Sequence, residues 1–274
     1  MEGIKKFLII GINSQIGNYL YLNLKQTGYK FFGTTRRIEN LRKANNLIYL
    51  DLAKAPLVSP SENFDFAIFC AGVTDLDFCD KNLSESKVIN VTNTIKSIEV
   101  LLSRNTQVIF LSSNLVFEGA QSFYKYLDKT APITEYGKMK AYVENSFKEP
   151  NFSTLRLTKV LTEDAKFLKE WNNCIQQGKE IFAYKNCFIS PISLEQVLEA
   201  VHQLVGLTSS QKIELGGVFQ LGGNSELSYF DFAHAYFNNN ERALHLIRGV
   251  NNPNVEKNQY NSLETFLPGF QVKN

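Results

Sequence analysis

Phe7-Leu8-Ile9-Ile10-Gly11-Ile12-Asn13-Ser14-Gln15-Ile16-Gly17 carries the first architectural signal of the chain. Four apolar residues run into a glycine, and a second glycine follows where a helical pattern begins. A strand buried on both faces reads as a continuous apolar run, which is the environment of a parallel sheet. Glycine at 11 permits the sharp turn out of the strand, and glycine at 17 lets helix and strand pack closely. Backbone amides at the helix N-terminus attract a phosphate. Ser14 stands where the dinucleotide-binding pattern has its middle glycine. Gly11, Asn13, Ser14, Gln15, Ile16 and Gly17 are therefore expected to cradle a pyrophosphate. The competing reading is an ordinary strand-to-helix turn.

Working outward, short apolar runs alternate with helical patterns. Candidate strands are Phe7–Ile10, Lys30–Thr34, Leu47–Leu50, Phe64–Cys70, Gln107–Ser112 and Phe152–Leu157. The first helix is expected to run to Thr27. Val88, Val91, Ile95, Ile98 and Leu102 recur every three or four residues, marking one face of a long helix. Leu115–Pro132 reads as a long loop, and such loops in compact domains are often functional. The fold class is α/β, a Rossmann-type doubly wound parallel sheet with a small C-terminal substrate-binding lobe. Residues 1–157 form the NAD(P)-binding domain, and 158–274 are mainly the lobe, with segments returning to the sheet. In that second part Ser193-Leu194-Glu195-Gln196 reads as a capping box opening a helix through Val205, and Ser228 opens another. Val218–Leu221 reads as a strand, and Asn238–Asn240 and Asn251-Asn252 as surface turns.

The chain has 274 residues, enough for one large core or a core with a small attached lobe. Its 29 basic and 27 acidic residues leave a net charge of +2, so electrostatics give no reason to expect nucleic acid or an acidic membrane as partner. Cys70, Cys79, Cys174 and Cys187 lack the spacing of a zinc knuckle or redox dithiol, and reduced thiols in a cytoplasm are expected. The run at Phe7–Ile10 is too short to span a bilayer and lacks a leader's cleavage site. His202, His234 and His245 show no metal-ligand spacing, so no metal is expected. Trp171 reads as a packing residue.

An NAD-specific fold places an acid at the end of its second strand to bond the ribose hydroxyls. Here Gly33-Thr34-Thr35-Arg36-Arg37 has none before Glu39. Two guanidiniums at Arg36 and Arg37 suit a ribose 2′-phosphate, because their planar forks match its oxygens. NADP is the favoured cofactor and NAD the alternative. Asp51, with Leu52 beside it, is placed at a strand end to meet the adenine, and Cys70-Ala71-Gly72 offers small side chains to the cofactor.

Tyr136-Gly137-Lys138-Met139-Lys140 puts a phenol and an ammonium one helical turn apart on one face. A neighbouring positive charge lowers a tyrosine's pKa from its ordinary ~10 toward the working range of an acid–base catalyst. Ser113, at the end of the strand Gln107–Ser112, lies where open α/β sheets bind ligands and is expected to polarise a carbonyl. Ser113, Tyr136 and Lys140 are the expected catalytic set. Singly, each has a bland reading; in this order and company they do not.

Taken together, these motifs resemble the extended short-chain dehydrogenases, and among them the dTDP-4-dehydrorhamnose reductase family. Ser112-Ser113-Asn114-Leu115-Val116-Phe117-Glu118-Gly119 is similar to that family's Ser-Thr-Asp-Tyr-Val-Phe-Asp-Gly. Tyr136 to Lys140, with Glu144, is similar to its Tyr-Gly-x-x-Lys-x-x-x-Glu. Leu155-Arg156 resembles its post-catalytic strand, Ser190-Pro191-Ile192 its Ser-Pro-Thr, Gly217–Leu221 its Gly-x-Tyr-His-x, and Asn261–Glu264 its Asn-Ser-x-Leu-Asp. Asn258-Gln259 departs from its Arg-Pro, and Asn114 from the acid pair of sugar-nucleotide dehydratases. The resemblance implies an NADPH-dependent oxidoreductase acting on the keto group of a nucleotide-activated deoxysugar. It places Thr74, Ser113, Phe117, Lys159 and Ser190 against that nucleotide-sugar substrate, and a homodimer is compatible with it. The alternatives are a non-catalytic NADP-binding regulatory subunit, or an epimerase or other carbonyl reductase of the same superfamily.

Overall fold

A computed structural model describes residues 4–24, 28–42, 44–58, 60, 62–210, 216–253 and 259–267, with the backbone only at 207–210. The opening run forms β1 (Lys6–Ile10), and the glycine turn leads into α1 (Gln15–Leu24). There follow β2 (Lys30–Thr35), α2 (Ile38–Leu41), β3 (Leu47–Tyr49), β4 (Phe66–Phe69), α3 (Leu76–Lys81), α4 (Leu83–Lys87) and α5 (Asn93–Leu102). Then come β5 (Gln107–Ser113), α6 (Glu135–Ser146), β6 (Phe152–Leu157), α7 (Lys166–Gln176), β7 (Ile181–Tyr184), β8 (Phe188–Ile189) and α8 (Leu194–Ser210). The described chain continues through β9 (Gly217–Leu221), β10 (Leu227–Ser228), α9 (Tyr229–Tyr236), α10 (Glu241–Leu244) and β11 (Ile247–Val250).

Seven strands pair in parallel in the order β3-β2-β1-β4-β5-β6-β9. Alternate residues of β1 serve two cores. Phe7 and Ile9 pack with Leu20, Leu24, Val197, Val201 and Leu204 on the α1/α8 face. Leu8 and Ile10 pack with Ile98, Leu101, Val143 and Phe147 on the α5/α6 face. The Phe7 ring stacks between Phe31 and Phe66, with centroids 5.0 and 4.8 Å away. Each such buried side chain contributes roughly 1.5–3 kcal/mol, so the apolar run that announces β1 is also what anchors the sheet. The strand order reverses between β1 and β4, and a doubly wound sheet opens its ligand crevice at such a point, beyond the carboxyl ends of the strands.

The second half divides its duties. α8 and β9 belong to the sheet: α8 covers one face, and β9 adds the seventh strand beside β6. The Ser193 capping box is present in full, with Gln196 N–H donating to Ser193 Oγ (3.2 Å) and Ser193 N–H to Gln196 Oε1 (2.8 Å). The helix it opens runs beyond Val205 to Ser210. The remaining elements make a lobe with its own core, in which Leu168, Trp171, Ile175, Ile181, Phe232, Phe237 and Ile247 are buried. Two small sheets belong to it: β7 with β11, parallel, and β8 with β10, antiparallel.

α1 is described as far as Leu24, and its expected end at Thr27 lies outside the described residues. The Val88–Leu102 helix is interrupted by a π-helical turn, Val88–Thr92, closed by Thr94 Oγ1 donating to Ile89 O (2.8 Å). The extra residue in that turn rotates the face. Val88 is exposed, whereas Asn90, Asn93, Thr94 and Ser97 are buried beside Ile98 and Leu101.

Candidate active site

The glycine turn builds the first wall. Gly17 admits no side chain: a Cβ there would lie 2.2 Å from Gly11 O. Ser14 Oγ accepts from Gly17 N–H (3.0 Å) and donates to Gly11 O (2.9 Å), so the hydroxyl is folded into the turn. Asn13 Oδ1 accepts from Thr35 Oγ1 (2.8 Å) and Arg36 N–H (3.3 Å), and Thr34 Oγ1 accepts from Gly11 N–H (2.9 Å). These bonds tie the turn to the end of β2. The first-turn amides of Gln15 and Ile16 have no intrahelical acceptor and remain for an anion.

A cleft of about 840 Å³ opens over this wall. It is lined by Gly11, Asn13, Ser14, Arg36, Asp51, Leu52, Ala71 and Gly72 among others. Asp51 accepts from Ala53 N–H (3.2 Å) and pairs with Lys54 at 3.5 Å. The Arg36 side chain is exposed at the rim, and Arg37, equally exposed, stands outside the lining. Glycine turn, helix N-terminus and rim cation fit a dinucleotide bearing a 2′-phosphate.

A second cavity, of about 630 Å³, shares Ala71 and Thr74 with the first. Ser113, Tyr136, Lys140, Lys159, Thr158, Gln15, Ile16 and Cys70 line it, so residues far apart in sequence meet at the carboxyl ends of β4, β5 and β6. Thr134 caps α6 through Gly137 N–H (3.0 Å). Gly137 lets that helix press on the chain after β5, since a Cβ there would fall 2.0 Å from Leu115 O. Further along α6, Glu144 forms a buried pair with Arg156 of β6 (2.7 Å; side chains 3% and 5% exposed). Arg156 also donates to Gln220 Oε1 (3.2 Å) and Tyr126 O (3.3 Å), which joins α6, β6, β9 and the loop after β5.

The electrostatics of the expected catalytic set differ from the sequence expectation in one respect. Burial raises the Tyr136 phenol above its ordinary value rather than lowering it. The Lys140 ammonium lies 5.8 Å from that ring's centroid and donates to Leu111 O at 2.8 Å. Desolvation is the largest cause, and the neighbouring Cys79 acts in the same direction. Lys140 itself is pulled down by burial to about 8. Burial also lowers the Lys159 ammonium, which sits over the Phe167 ring, and raises the Cys70 thiol to about 12.

Two residues assigned to substrate are turned elsewhere. Phe117 is 2% exposed, stacked on Tyr124 at 4.3 Å and beneath the Arg156 guanidinium. Ser190 is fully buried, with its hydroxyl bonded to Gly223 O at 3.2 Å. Neither is among the residues that line the two cavities described above. Asn258 lies outside the described residues. Sequence reading also passed over Asn90, whose amide accepts from Val73 N–H (2.8 Å) and donates to Val73 O (2.9 Å). That clamp fixes the loop carrying Gly72 and Thr74 along both cavities. An asparagine in a helical run reads as a solvent residue, and the π-turn that turns it inward leaves no local signal. Among the described residues no three His, Cys, Asp or Glu gather as a metal site, and no helix is long and apolar enough to cross a membrane.

Comparison with other proteins agrees with this geometry. The probable low-salt glycan biosynthesis reductase Agl14 of Haloferax volcanii is 26% identical over 152 residues, covering 54% of this chain and 51% of that protein. The dTDP-4-dehydrorhamnose reductase of Sinorhizobium fredii is 27% identical over 180 residues, covering 63% and 60%. The matches thus span about half to three fifths of these curated relatives. The solved structure of dTDP-4-dehydrorhamnose reductase from Bacillus anthracis in complex with NADP superposes with a TM-score of 0.79. It is 17% identical over 97% of this chain and 91% of that one, a likeness of fold. The model of the RmlD substrate binding domain family matches residues 5–262, and this chain belongs to that family.

Proposed function

We propose that the protein is an NADPH-dependent reductase of a keto group on a nucleotide-activated deoxysugar. The observation that carries this reading is the gathering of Ser113, Tyr136 and Lys140 in one cavity adjoining the glycine-turn cleft. Gly11, Asn13, Ser14 and the α1 N-terminus would hold the pyrophosphate, Arg36 the 2′-phosphate, and Asp51 with Leu52 the adenine end. Bound NADPH supplies the hydride. Ser113 Oγ, held by Leu115 N–H at 3.2 Å, donates a hydrogen bond to the substrate carbonyl oxygen. Tyr136 then delivers its proton to that oxygen. Its raised pKa suits this direction of reaction, because the phenol is fully protonated at neutral pH before the carbonyl is reduced. The tyrosinate left behind is stabilised by Lys140, which at about 8 still carries its charge near pH 7. An ammonium has three donors, and Lys140 gives one to Leu111 O, leaving others for the nicotinamide ribose. Lys159 and Thr74 face the same cavity and are assigned to the substrate.

The test mixes the protein with NADPH and a panel of 4-keto sugar nucleotides and follows the absorbance of the reduced cofactor. Turnover of one member is expected, and Tyr136→Phe should reduce kcat by about a thousandfold while NADPH affinity changes little. NADPH binding without turnover across the panel would favour the regulatory reading. A Phe variant retaining most of its rate would remove Tyr136 as the proton donor.

A further inference from the structure

The proposed reaction leaves one group of residues without a role: the segment Asn261-Ser262-Leu263-Glu264, at the far end of the chain from the catalytic serine. That segment lies against the loop after β5. Leu263, 1% exposed, packs with Val116, Phe117, Tyr124 and Ala141. Glu264 N–H donates to Tyr124 O (2.9 Å), and Phe123 N–H donates to Ser262 Oγ (2.6 Å). Glu226 Oε1 accepts from the backbone amides of Asn261 (3.1 Å) and Ser262 (3.0 Å) and fixes the turn in place.

From this anchored segment a line of side chains leads to the site. Ser113 Oγ donates to Asn114 Oδ1 at 3.3 Å, Asn114 Nδ2 to Asn261 Oδ1 at 2.8 Å, and Asn261 Nδ2 to Phe188 O at 3.0 Å. Every donor points the same way along the line, so each amide polarises the next. Asn114 is bound at both ends of its amide and has no freedom to turn. Its Oδ1 therefore stays beside Ser113, whose oxygen also accepts from Leu115 N–H. The oxygen is fixed while the hydroxyl hydrogen remains a rotor, free to leave Asn114 for an incoming carbonyl.

We propose that Asn114 and Asn261 form a positioning pair that sets the place of Ser113 Oγ, so that the C-terminal segment 259–267 is part of the reaction site's geometry. The proposal rests on the role of Ser113 given above. Asn261 stands outside the cavity lining and acts through Asn114, which lines the cavity beside Ser113 and acts through the serine's hydroxyl.

The experiment compares Asn114→Ala, Asn261→Ala and the double variant with Ser113→Ala, all in the full chain. Turnover is followed with NADPH and a 4-keto deoxysugar nucleotide as probe. Each single asparagine variant should lose about tenfold in kcat, with the KM for NADPH within about twofold, because a small misplacement of a catalytic group costs rate. The double should lose no more than the worse single, because the two residues act as one unit. Hydrogen exchange over 113–118 in the ligand-free protein reads the positioning without turnover and should accelerate about tenfold in both singles. Additive losses near a hundredfold, or native exchange protection in Asn261→Ala, overturn the pair. If Ser113→Ala keeps its kcat, the role given to the serine fails, and the exchange measurement still decides whether Asn261 holds it.

Discussion

Replacing Lys140 by methionine should make the protein more stable while disabling it. Lys140 is 6% exposed, and burial pulls its ammonium from 10.5 to about 8. That difference corresponds to a penalty of roughly 3 kcal/mol on the charged form near pH 7. Methionine matches the lysine stem in length and carries no charge to desolvate, but it forfeits the bond to Leu111 O, worth about 1 kcal/mol. The expected net gain is about 2 kcal/mol at pH 7. Urea denaturation followed by the fluorescence of Trp171, the single tryptophan, measures it. The pH dependence supplies an independent check. Between about 8 and 10.5 the unfolded chain binds more protons at this lysine than the native state does, so its contribution makes stability rise with pH. The Cys70, Cys79 and Cys187 thiols, all raised by burial, oppose this as the unfolded thiols ionise, since the native state keeps them protonated and loses stability as pH rises. The thiols contribute alike to both proteins, so from pH 8 to 9 the stability of the unmodified protein should rise relative to that of Lys140→Met. A methionine variant that is less stable at pH 7, or that keeps the slope, would refute the burial argument. Weakened NADPH binding and lost turnover in the same variant would show that the buried charge is retained for function.

Arg36→Ala should lower the preference for NADPH over NADH by about tenfold, the loss of roughly 1.4 kcal/mol from a charge-assisted contact; cofactor titrations check it, and equal affinities in the unmodified protein would remove the 2′-phosphate assignment. Glu144→Gln leaves the Arg156 guanidinium buried without its counter-charge and should cost about 3 kcal/mol in urea unfolding. A change below 1 kcal/mol would mean that the Gln220 and Tyr126 acceptors already compensate the arginine. Ser14→Gly should destabilise the fold by only a few tenths of a kcal/mol and move the NADPH dissociation constant by less than about threefold by calorimetry; binding seen only in the glycine variant would overturn the reading of this turn.

The parallel sheet was legible because its strands are buried on both faces. Phe7–Ile10 and Val108–Leu111 carry apolar side chains at every position, and this pattern survives without knowledge of any partner strand. The lobe was not legible to the same degree. β7 alternates buried Ile181 and Ala183 with exposed Phe182 and Tyr184, and its partner β11 lies more than sixty residues away. A short strand with aromatics on its outer face offers little periodicity to read, and its pairing is a long-range event. The candidate site shows the same division. Ser113, Tyr136 and Lys140 stood out because strand end and helical spacing imply which way they face. Phe117 and Ser190 stand outside both cavity linings, because membership of a motif does not specify the side toward which a residue turns. Phe117 turns to Tyr124 and Arg156, and Ser190 to Gly223, through contacts that only the folded chain brings together.

Ser14 shows how a departure from a motif can keep the motif's purpose by other chemistry. Glycine in the middle of the turn lets a pyrophosphate approach the backbone, and a side chain pointing into the cleft would obstruct it. Here the side chain points back. Ser14 directly precedes the first residue of α1, and its Oγ accepts from Gly17 N–H three residues on, which is the geometry of a serine N-cap. The hydroxyl hydrogen goes to Gly11 O, so it is not held out toward a phosphate as a donor. The cap takes the amide of Gly17, which faces the crowded side of the turn where even a Cβ has no room. It leaves the amides of Gln15 and Ile16, the positively polarised end of the helix, to meet an anion. The serine thus stiffens the turn without using the groups that a pyrophosphate requires, which is why exchanging it for glycine should alter stability and cofactor affinity so little.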